Sequence, residues 1–205
     1  AENETGYAVG IAPDGSIVVG GWNWEDQFYA SPILRAFTQD GALITNFGNN
    51  GLVVPHFSGP NPVSGLAVQE DGKVIAIGDG YGVSFLAARF LLDGSIDSSF
   101  GVDGTASVHF PWGGERTTAL AIQPDGAIIL VGHASAPTDI SPNCMIPALC
   151  RLLPDGALDP NFGTAGLVTF PAPGITANQY TSLLTDIVTA ADGTIFGCGF
   201  TTAGI

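Results

Sequence analysis

The strongest constraint on this chain is a string that occurs three times. It reads DGALITNFGNNG at 40–51, DGSIDSSFGVDG at 93–104 and DGALDPNFGTAG at 155–166. A pattern Asp-Gly-x-[Leu/Ile]-x-x-x-Phe-Gly-x-x-Gly does not recur by accident, so the chain is an array of one supersecondary unit. A second motif alternates with the first: VGIAPDGSIVVGG (9–21), LAVQEDGKVIAIG (66–78), LAIQPDGAIILVG (120–132) and IVTAADGTIFGCG (187–199). Its aspartates, Asp14, Asp71, Asp125 and Asp192, are spaced by 57, 54 and 67 residues.

Each unit reads as four strands. Before the second motif's Asp-Gly, positions alternate with a period of two, which marks a strand with two distinct faces. Val9/Ile11, Leu66/Val68 and Leu120/Ile122 form a large face; Ala8/Gly10, Gly65/Ala67 and Ala119/Ala121 form a small one. The Asp-Gly is a hairpin signal, because glycine accepts positive φ and aspartate tolerates it. A continuous apolar strand follows (SIVVGG, KVIAIG, AIILVG, TIFGCG), then a third (SPILRAF, FLAARFL, ALCRLL). The first string turns the chain out of that third strand at Asp40, Asp93 or Asp155. Asp97 and Asp159 suit the N-cap of a short helical turn, with Pro160 at its first position. Ile96 and Phe100 then share a face, and Phe47, Phe100 and Phe162 are expected as equivalent buried plugs. The fourth strand is GLVVPHF, GTASVHF or GLVTFPA.

Repeated four-stranded antiparallel units of this length are the blades of a β-propeller. The small-residue first strand suits the crowded inner position. A β-helix is the rival, but its coils are shorter and lack antiparallel hairpins. The expected organisation is one array over 1–205, with blades at about 7–56, 64–109 and 117–170 and a partial blade at 184–205. The array is expected to continue in a longer propeller or to close by association with other chains.

The strings ALAIQPDGAIILVG, RFLLDGSIDSSFGVDG and RLLPDGALDPNFGTAG resemble the delta-60 repeat family of bacterial, mostly exported proteins. Its repeats carry a similar A-I-Q-P-D-G-K-I strand followed by R-x-x-x-D-G-S-L-D-x-x-F-G. The resemblance implies a β-propeller-like array and brings no established catalytic motif. The first copy departs from the pattern: Arg35 lies one position earlier than Arg89 and Arg151, Ala36 takes the matching place, and Ile44 replaces the aspartate. If Arg89 and Arg151 pair with blade carboxylates, the first blade loses that contact or remakes it.

Composition narrows the partners. Nineteen acidic residues against five basic give a net charge of −14, with Lys73 the only lysine. Such a chain repels phosphate backbones and anionic lipid, so nucleic-acid binding is not expected. No apolar run reaches the roughly 20 residues of a membrane helix. The lysine-poor composition suits a secreted, periplasmic or cell-surface bacterial protein. The first residue, Ala1, fits either a cleaved leader or a boundary within a longer chain.

Candidate binding residues come from the loops. The connections that follow the second and fourth strands share one end and differ between copies, and recognition resides in such loops. Trp22, Trp24, Asp26, Tyr81, Trp112, Arg116 and Tyr180 are the candidates, as a surface for a protein or a glycan. His56, His109 and His133 make no metal motif, and no P-loop, Gly-x-Ser-x-Gly elbow or His-Glu-x-x-His is present. Asp93/Asp97 and Asp155/Asp159 could hold calcium, but turn-making and capping account for them, so no cofactor is expected. Cys198 aligns with buried positions of the second strand, and an exported protein could oxidise Cys144 and Cys150 to a disulfide. The expected function is a non-enzymatic scaffold or binding module for protein partners or further blades of the same polypeptide. The alternative is a lectin or glycan-active enzyme.

Overall fold

The seven Asp-Gly pairs that open or centre the two repeat motifs close the same kind of loop. At the first, the Gly15 N–H donates to the Ala12 carbonyl at 2.9 Å and the Ala12 N–H to the Ser16 carbonyl at 2.8 Å. Within that loop only Gly15 has positive φ, 84°. This is a three-residue hairpin with one left-handed residue, whereas a two-residue type I′ turn would need two. The aspartate completes it from the side: Asp14, Asp71, Asp93, Asp125, Asp155 and Asp192 each accept the N–H two residues on, at 2.9–3.1 Å. At Asp40 the Thr38 hydroxyl accepts the Ala42 N–H instead, at 3.1 Å.

These loops organise the chain, described here from a computed structural model that covers residues 3–24, 30–57, 62–79, 84–136, 144–170 and 180–203. The first sheet is β1 (Asn3–Ile11), β2 (Ile17–Trp24), β3 (Ala30–Phe37) and β4 (Leu52–Val53), paired in that order. The second is β5 (Gly65–Val68), β6 (Val74–Asp79), β7 (Phe85–Phe90) and β8 (Thr105–Val108), and the third β9 (Arg116–Ile122), β10 (Ile128–Ser135), β11 (Met145–Leu152) and β12 (Leu167–Thr169). β13 (Tyr180–Thr189) and β14 (Ile195–Ala203) form a two-stranded sheet. No helix occurs among the described residues, and none is long and apolar enough to cross a membrane. The fold is an all-β propeller of four-stranded antiparallel blades. The chain divides into two compact units, residues 1–81 with 86–106 and residues 82–85 with 107–205.

A feature absent from the sequence reading is a β-bulge in the first strand, seven residues before the Asp-Gly. Register slips between Gly6 and Ala8, between Thr117 and Ala119, and between Leu184 and Asp186. The extra residues are Tyr7, Thr118 and Thr185. Thr118 and Thr185 donate across the pair to the Val131 and Cys198 carbonyls at 3.2 and 3.3 Å. The bulge brings backbone close to the facing strand, and glycine answers it: a Cβ on Gly132 would lie 1.9 Å from the Arg116 carbonyl oxygen. Gly21 and Gly199 stand in the same place with the same close approach.

The Phe-Gly-x-x-Gly string makes a tight turn under the third strand. In the second copy the Ser99 N–H and hydroxyl donate to Asp97 at 3.1 and 2.6 Å, and the Phe100 N–H to the Asp97 carbonyl at 3.0 Å. Gly101 has φ 55°, and a Cβ there would lie 2.0 Å from the Thr105 carbonyl oxygen. Arg89 from β7 reaches the same aspartate at 2.8 Å and lies over the Phe100 ring, 4.7 Å from its centroid. The Ser99 hydroxyl, its N–H and Arg89 hold the Asp97 carboxyl down to about 2 against the cost of burial. Arg151, Asp159 and Phe162 repeat the arrangement, with Arg151 bonded to Asp159 and 5.0 Å above the ring.

The first blade replaces this ion pair with apolar contact. Ala36 and Ile44 stand where the arginine and aspartate would be, and both pack in the core cluster with Phe47. Arg35, displaced by one residue and so on the other face of β3, pairs with Glu4 through two bonds of 2.5 and 2.9 Å. The contact is remade elsewhere.

The core of the first unit joins Val18, Leu34, Phe47, Val53, Val63, Leu66, Val74 and Phe90, and that of the second joins Ile129, Val131, Leu149, Leu184 and Ile187. Large side chains of one blade seat on small residues of the blade before it. A Cβ on Gly10 would lie 2.5 Å from Leu66 Cδ1, and one on Gly20 2.5 Å from Val63 Cγ1.

Four expectations need correction. Phe47 and Phe100 are fully buried, but Phe162 is only half-buried. Ile96 does not share the face of Phe100: it bridges back to Phe90 and packs over Gly104 at the surface. Cys144 and Cys150 form no disulfide, because the strand beginning at Met145 extends the chain between them. Six extended residues span about 20 Å, whereas a disulfide tolerates about 4.4–6.8 Å between Cα atoms. Burial pushes the Cys150 thiol well up, out of reach of ordinary oxidation. Cys198, aligned with the fully buried Ile77 and Val131, is exposed, since no strand pairs beyond β14 and no blade covers that face among the described residues.

Two outcomes test this account. Arg89→Ala alone should destabilise the protein by about 2 kcal/mol, since it removes the 2.8 Å partner of the buried Asp97 carboxylate and leaves Lys73, at 3.5 Å, as its cation. Arg89→Ala with Asp97→Ile, which copies the first blade, should recover most of that loss in denaturant titrations. Because the Asp97 carboxyl is held to about 2 in the fold, its contribution is complete above the unfolded value of about 3.9 and lost as pH falls towards 2. The double variant should therefore lose less stability over that interval. Ala165, at φ 51° where the other copies have Asn50 and Asp103, should gain about 0.5–1 kcal/mol on replacement by glycine, measured as a shift of the unfolding midpoint.

Candidate functional site

The aromatic candidates fall at the end of the blades opposite the Asp-Gly loops, and each unit carries its own group. In the first unit, Trp22 and Trp24 lie two residues apart on β2 and so share a face. Their ring centroids are 4.6 Å apart, and Tyr7, the bulge residue of β1, meets Trp22 edge-on at 5.8 Å. Tyr7 and Trp24 are exposed while Trp22 is half-buried between them. The Trp22 indole N–H and the Asn23 side-chain oxygen are buried there without a partner in the protein. Buried polar atoms of this kind are costly unless something satisfies them. Asp26 and Tyr81 lie outside the described residues.

In the second unit, Trp112 projects from a turn built to hold it. Gly113 and Gly114 both have positive φ, 71° and 63°, and the Gly113 N–H donates to the Phe110 carbonyl at 3.2 Å. Glu115, wholly buried, accepts the Phe110 N–H at 2.7 Å through Oε1. Its Oε2 is buried without a partner. The Phe110 ring packs on Phe85 at 5.0 Å, which anchors the turn from below. Trp112 thus stands exposed beside a groove of about 360 Å³, lined with Phe110, Pro111, Thr164, Val168 and Thr169.

Arg116 opens β9, exposed, opposite the half-buried His133 of β10. Burial first, and the Arg116 charge second, push the imidazole below its ordinary value, so His133 is neutral at pH 7. Tyr180 opens β13, and its side chain lies outside the described residues. Two groups outside the candidate set matter here. Tyr7 occupies the bulge position where other blades carry a hydroxyl residue. Glu115 locks the turn of Trp112. The first was legible from its place seven residues before Asp14; the second was not, because only the folded turn brings its carboxylate to the Phe110 amide. Among the described residues no three His, Cys, Asp or Glu side chains gather as metal ligands.

Comparison with known proteins agrees with the architecture. The family described as a domain of unknown function (DUF5122), beta-propeller, matches residues 69–100 and 147–162. No curated protein matches the chain. Among solved structures, a catalytically inactive virginiamycin B lyase from Staphylococcus aureus with quinupristin is similar over 95% of this chain and 49% of its own, with 12% identity and a TM-score of 0.52. A structure described as a gluconolactonase is similar over 94% of this chain and 56% of its own, with 16% identity and a TM-score of 0.47. The chain therefore spans about half the length of the structures it resembles. What it carries is a set of β-propeller repeats.

One titration follows from His133. Its folded form takes up a proton less readily than the unfolded chain, so stability is lost as pH falls below about 6.5. Melting temperature should fall from pH 7 to 5.5, and His133→Gln should flatten that fall.

Proposed function

We propose that this chain is a non-enzymatic binding module of the delta-60 repeat type, exported and working at the cell surface or outside the cell. Its partner is a protein, held by the loop end of the blades. The observation that carries this reading is the mounting of the aromatics: Trp24 and Trp112 are exposed on a strand end and a glycine-built turn that do not need to reorganise on binding. Rigid tryptophan and tyrosine contribute large contact area at low entropic cost, and they dominate interface energetics. The opposite end offers the Asp-Gly loops, whose side chains are spent on their own backbone. A fold hosts many activities, so the likeness to a lyase is support for the propeller and no more.

One observation favours a second reading. The groove beside Trp112 combines an exposed indole with the hydroxyl residues Thr164 and Thr169, a lining that also suits a saccharide. The two readings separate in one experiment. The purified chain and its Trp24→Ala, Trp112→Ala double variant are used as bait for proteins of the native extracellular fraction, alongside oligosaccharide titrations followed by tryptophan fluorescence. A protein retained by the native chain and lost by the variant supports the module. A saccharide response lost with Trp112 supports the glycan reading. Retention that ignores both tryptophans, with no saccharide response, rejects the loop end as the site.

A further inference from the structure

Of the asparagines in this chain, Asn50 is the one followed by glycine. An Asn-Gly bond is chemically distinct, because a glycine without a side chain lets its backbone nitrogen approach the asparagine carboxamide closely. The pair forms the loop that leads into β4. The Asn49 N–H donates to the Leu52 carbonyl at 2.8 Å and the Leu52 N–H to the Asn49 carbonyl at 3.1 Å. Asn50 and Gly51 have φ 52° and 79°, both left-handed, as a type I′ turn requires. Asn50 is exposed, and so are Asp103 and Ala165, which hold its place in the other two copies. The exposure therefore belongs to the turn itself and is common to all three blades.

The first copy differs from the others in its glycine amide. Gly104 donates its N–H to the Phe100 carbonyl at 2.9 Å, and Gly166 to the Phe162 carbonyl at 2.8 Å. Gly51 is buried as they are, but its N–H finds no acceptor among the described residues. The seven Asp-Gly hairpins hold their glycines too: each N–H donates at 2.9 Å to the carbonyl three residues back. A carboxylate is also a poorer electrophile than a neutral carboxamide. At Asn50–Gly51 alone, among the described residues, an exposed carboxamide precedes a glycine amide that no hydrogen bond holds. The side-chain nitrogen of Asn50 donates to Asn49 Oδ1 at 3.3 Å, a weak contact.

We infer that Asn50 is a site of spontaneous deamidation, with water as the co-reactant. The Gly51 nitrogen attacks Cγ of Asn50 and forms a C–N bond. The Cγ–Nδ2 bond breaks, and the Gly51 proton leaves with the amide group as ammonia, which closes a succinimide ring. Water opens the ring at either carbonyl. Opening at Cγ gives aspartate on an intact main chain; opening at the main-chain carbonyl gives isoaspartate, with the chain running through the former side chain. Either product adds one negative charge to the net −14. Ring closure requires the turn to open. β4 is only Leu52–Val53 and lies at the edge of its sheet, where local opening costs little. The fold treats the two products differently. Aspartate reproduces Asp103–Gly104, which has φ 49° and 89° and is closed by the same pair of bonds, between Val102 and Thr105. Isoaspartate lengthens the loop by a methylene, so the two bonds between Asn49 and Leu52 no longer both close.

The test is peptide mapping by mass spectrometry after the folded protein has been incubated at mildly alkaline pH. Asn50 should be the first residue to lose its amide, and the aged protein should shift by one charge on isoelectric focusing. Hydrogen exchange gives an independent reading: the Gly51 amide should exchange roughly threefold to tenfold faster than those of Gly104 and Gly166, the range that one lost hydrogen bond covers. Asp103→Asn supplies the control, an Asn-Gly pair in the same type of turn whose glycine amide is held. Position 103 of that variant should deamidate more slowly than Asn50 by a similar factor. Asn50→Asp should melt with the native chain, and the separated isoaspartate form should melt lower. Three results overturn the inference: Asn50 intact in the folded protein while it deamidates in denaturant, a Gly51 amide as protected as that of Gly104, or position 103 of the variant reacting as fast as Asn50. An isoaspartate form that melts with the native chain overturns the loosening of β4.

Discussion

Within each unit one blade buries the face of its first strand on small residues of the blade before it, and the rest of the structure follows from that requirement. An isolated four-stranded sheet of this size has too little core of its own, so stability comes from nearest-neighbour contact along the array. Close approach demands glycine or alanine on the receiving side, which Gly10, Gly20, Ala119 and Ala121 supply. The bulge at the start of β1, β9 and β13 belongs to the same arrangement. It turns Thr118 so that one hydroxyl lies against the Val131 carbonyl of its own blade and the Leu184 carbonyl of the next. One residue thereby registers two sheets.

The turn beneath the third strand shows that one backbone can be served by two chemistries. In two copies an arginine covers the phenylalanine ring and bonds the capping aspartate. In the first copy alanine and isoleucine fill the same space with apolar contact. A buried ion pair and a well-packed apolar pair are energetically close, because Coulomb attraction is offset by the loss of hydration. Half of such a pair is costly, which is why both members change together within this one chain. The guanidinium moved one residue along reaches Glu4 at the edge of the sheet, where water still helps to solvate it.

In the function proposed for this architecture, recognition belongs where the repeat ceases to repeat. The Asp-Gly loops consume their own side chains in closing the hairpins and offer little to a partner. At the other end the aromatic residues are carried on strand ends and on a turn clamped by a buried carboxylate. Tyr7 marks the change of use: it takes the bulge position of a hydroxyl residue and contributes an aromatic edge to Trp22 instead.

What the sequence determined by itself was everything encoded by short-range pattern. Period-two alternation, the Asp-Gly punctuation and the Phe-Gly-x-x-Gly string were enough for the strand order, the antiparallel blades and the buried Phe47 and Phe100. These depend on φ preferences and on which side of a strand a residue faces, both local properties. The exchange of Arg35, Ala36 and Ile44 was visible as a one-residue displacement, but its outcome was not, because Glu4 is brought near only by strand pairing. The three-residue hairpin, the bulge and its facing glycines, and the hold of Glu115 on the Trp112 turn were likewise decided by tertiary structure. So was the separation of Cys144 from Cys150: six residues look like a loop on paper and are a strand of about 20 Å once β11 pairs on both sides. Burial of Cys198 could not be read from its alignment with Ile77 and Val131, since burial is a property of the neighbour that covers a face.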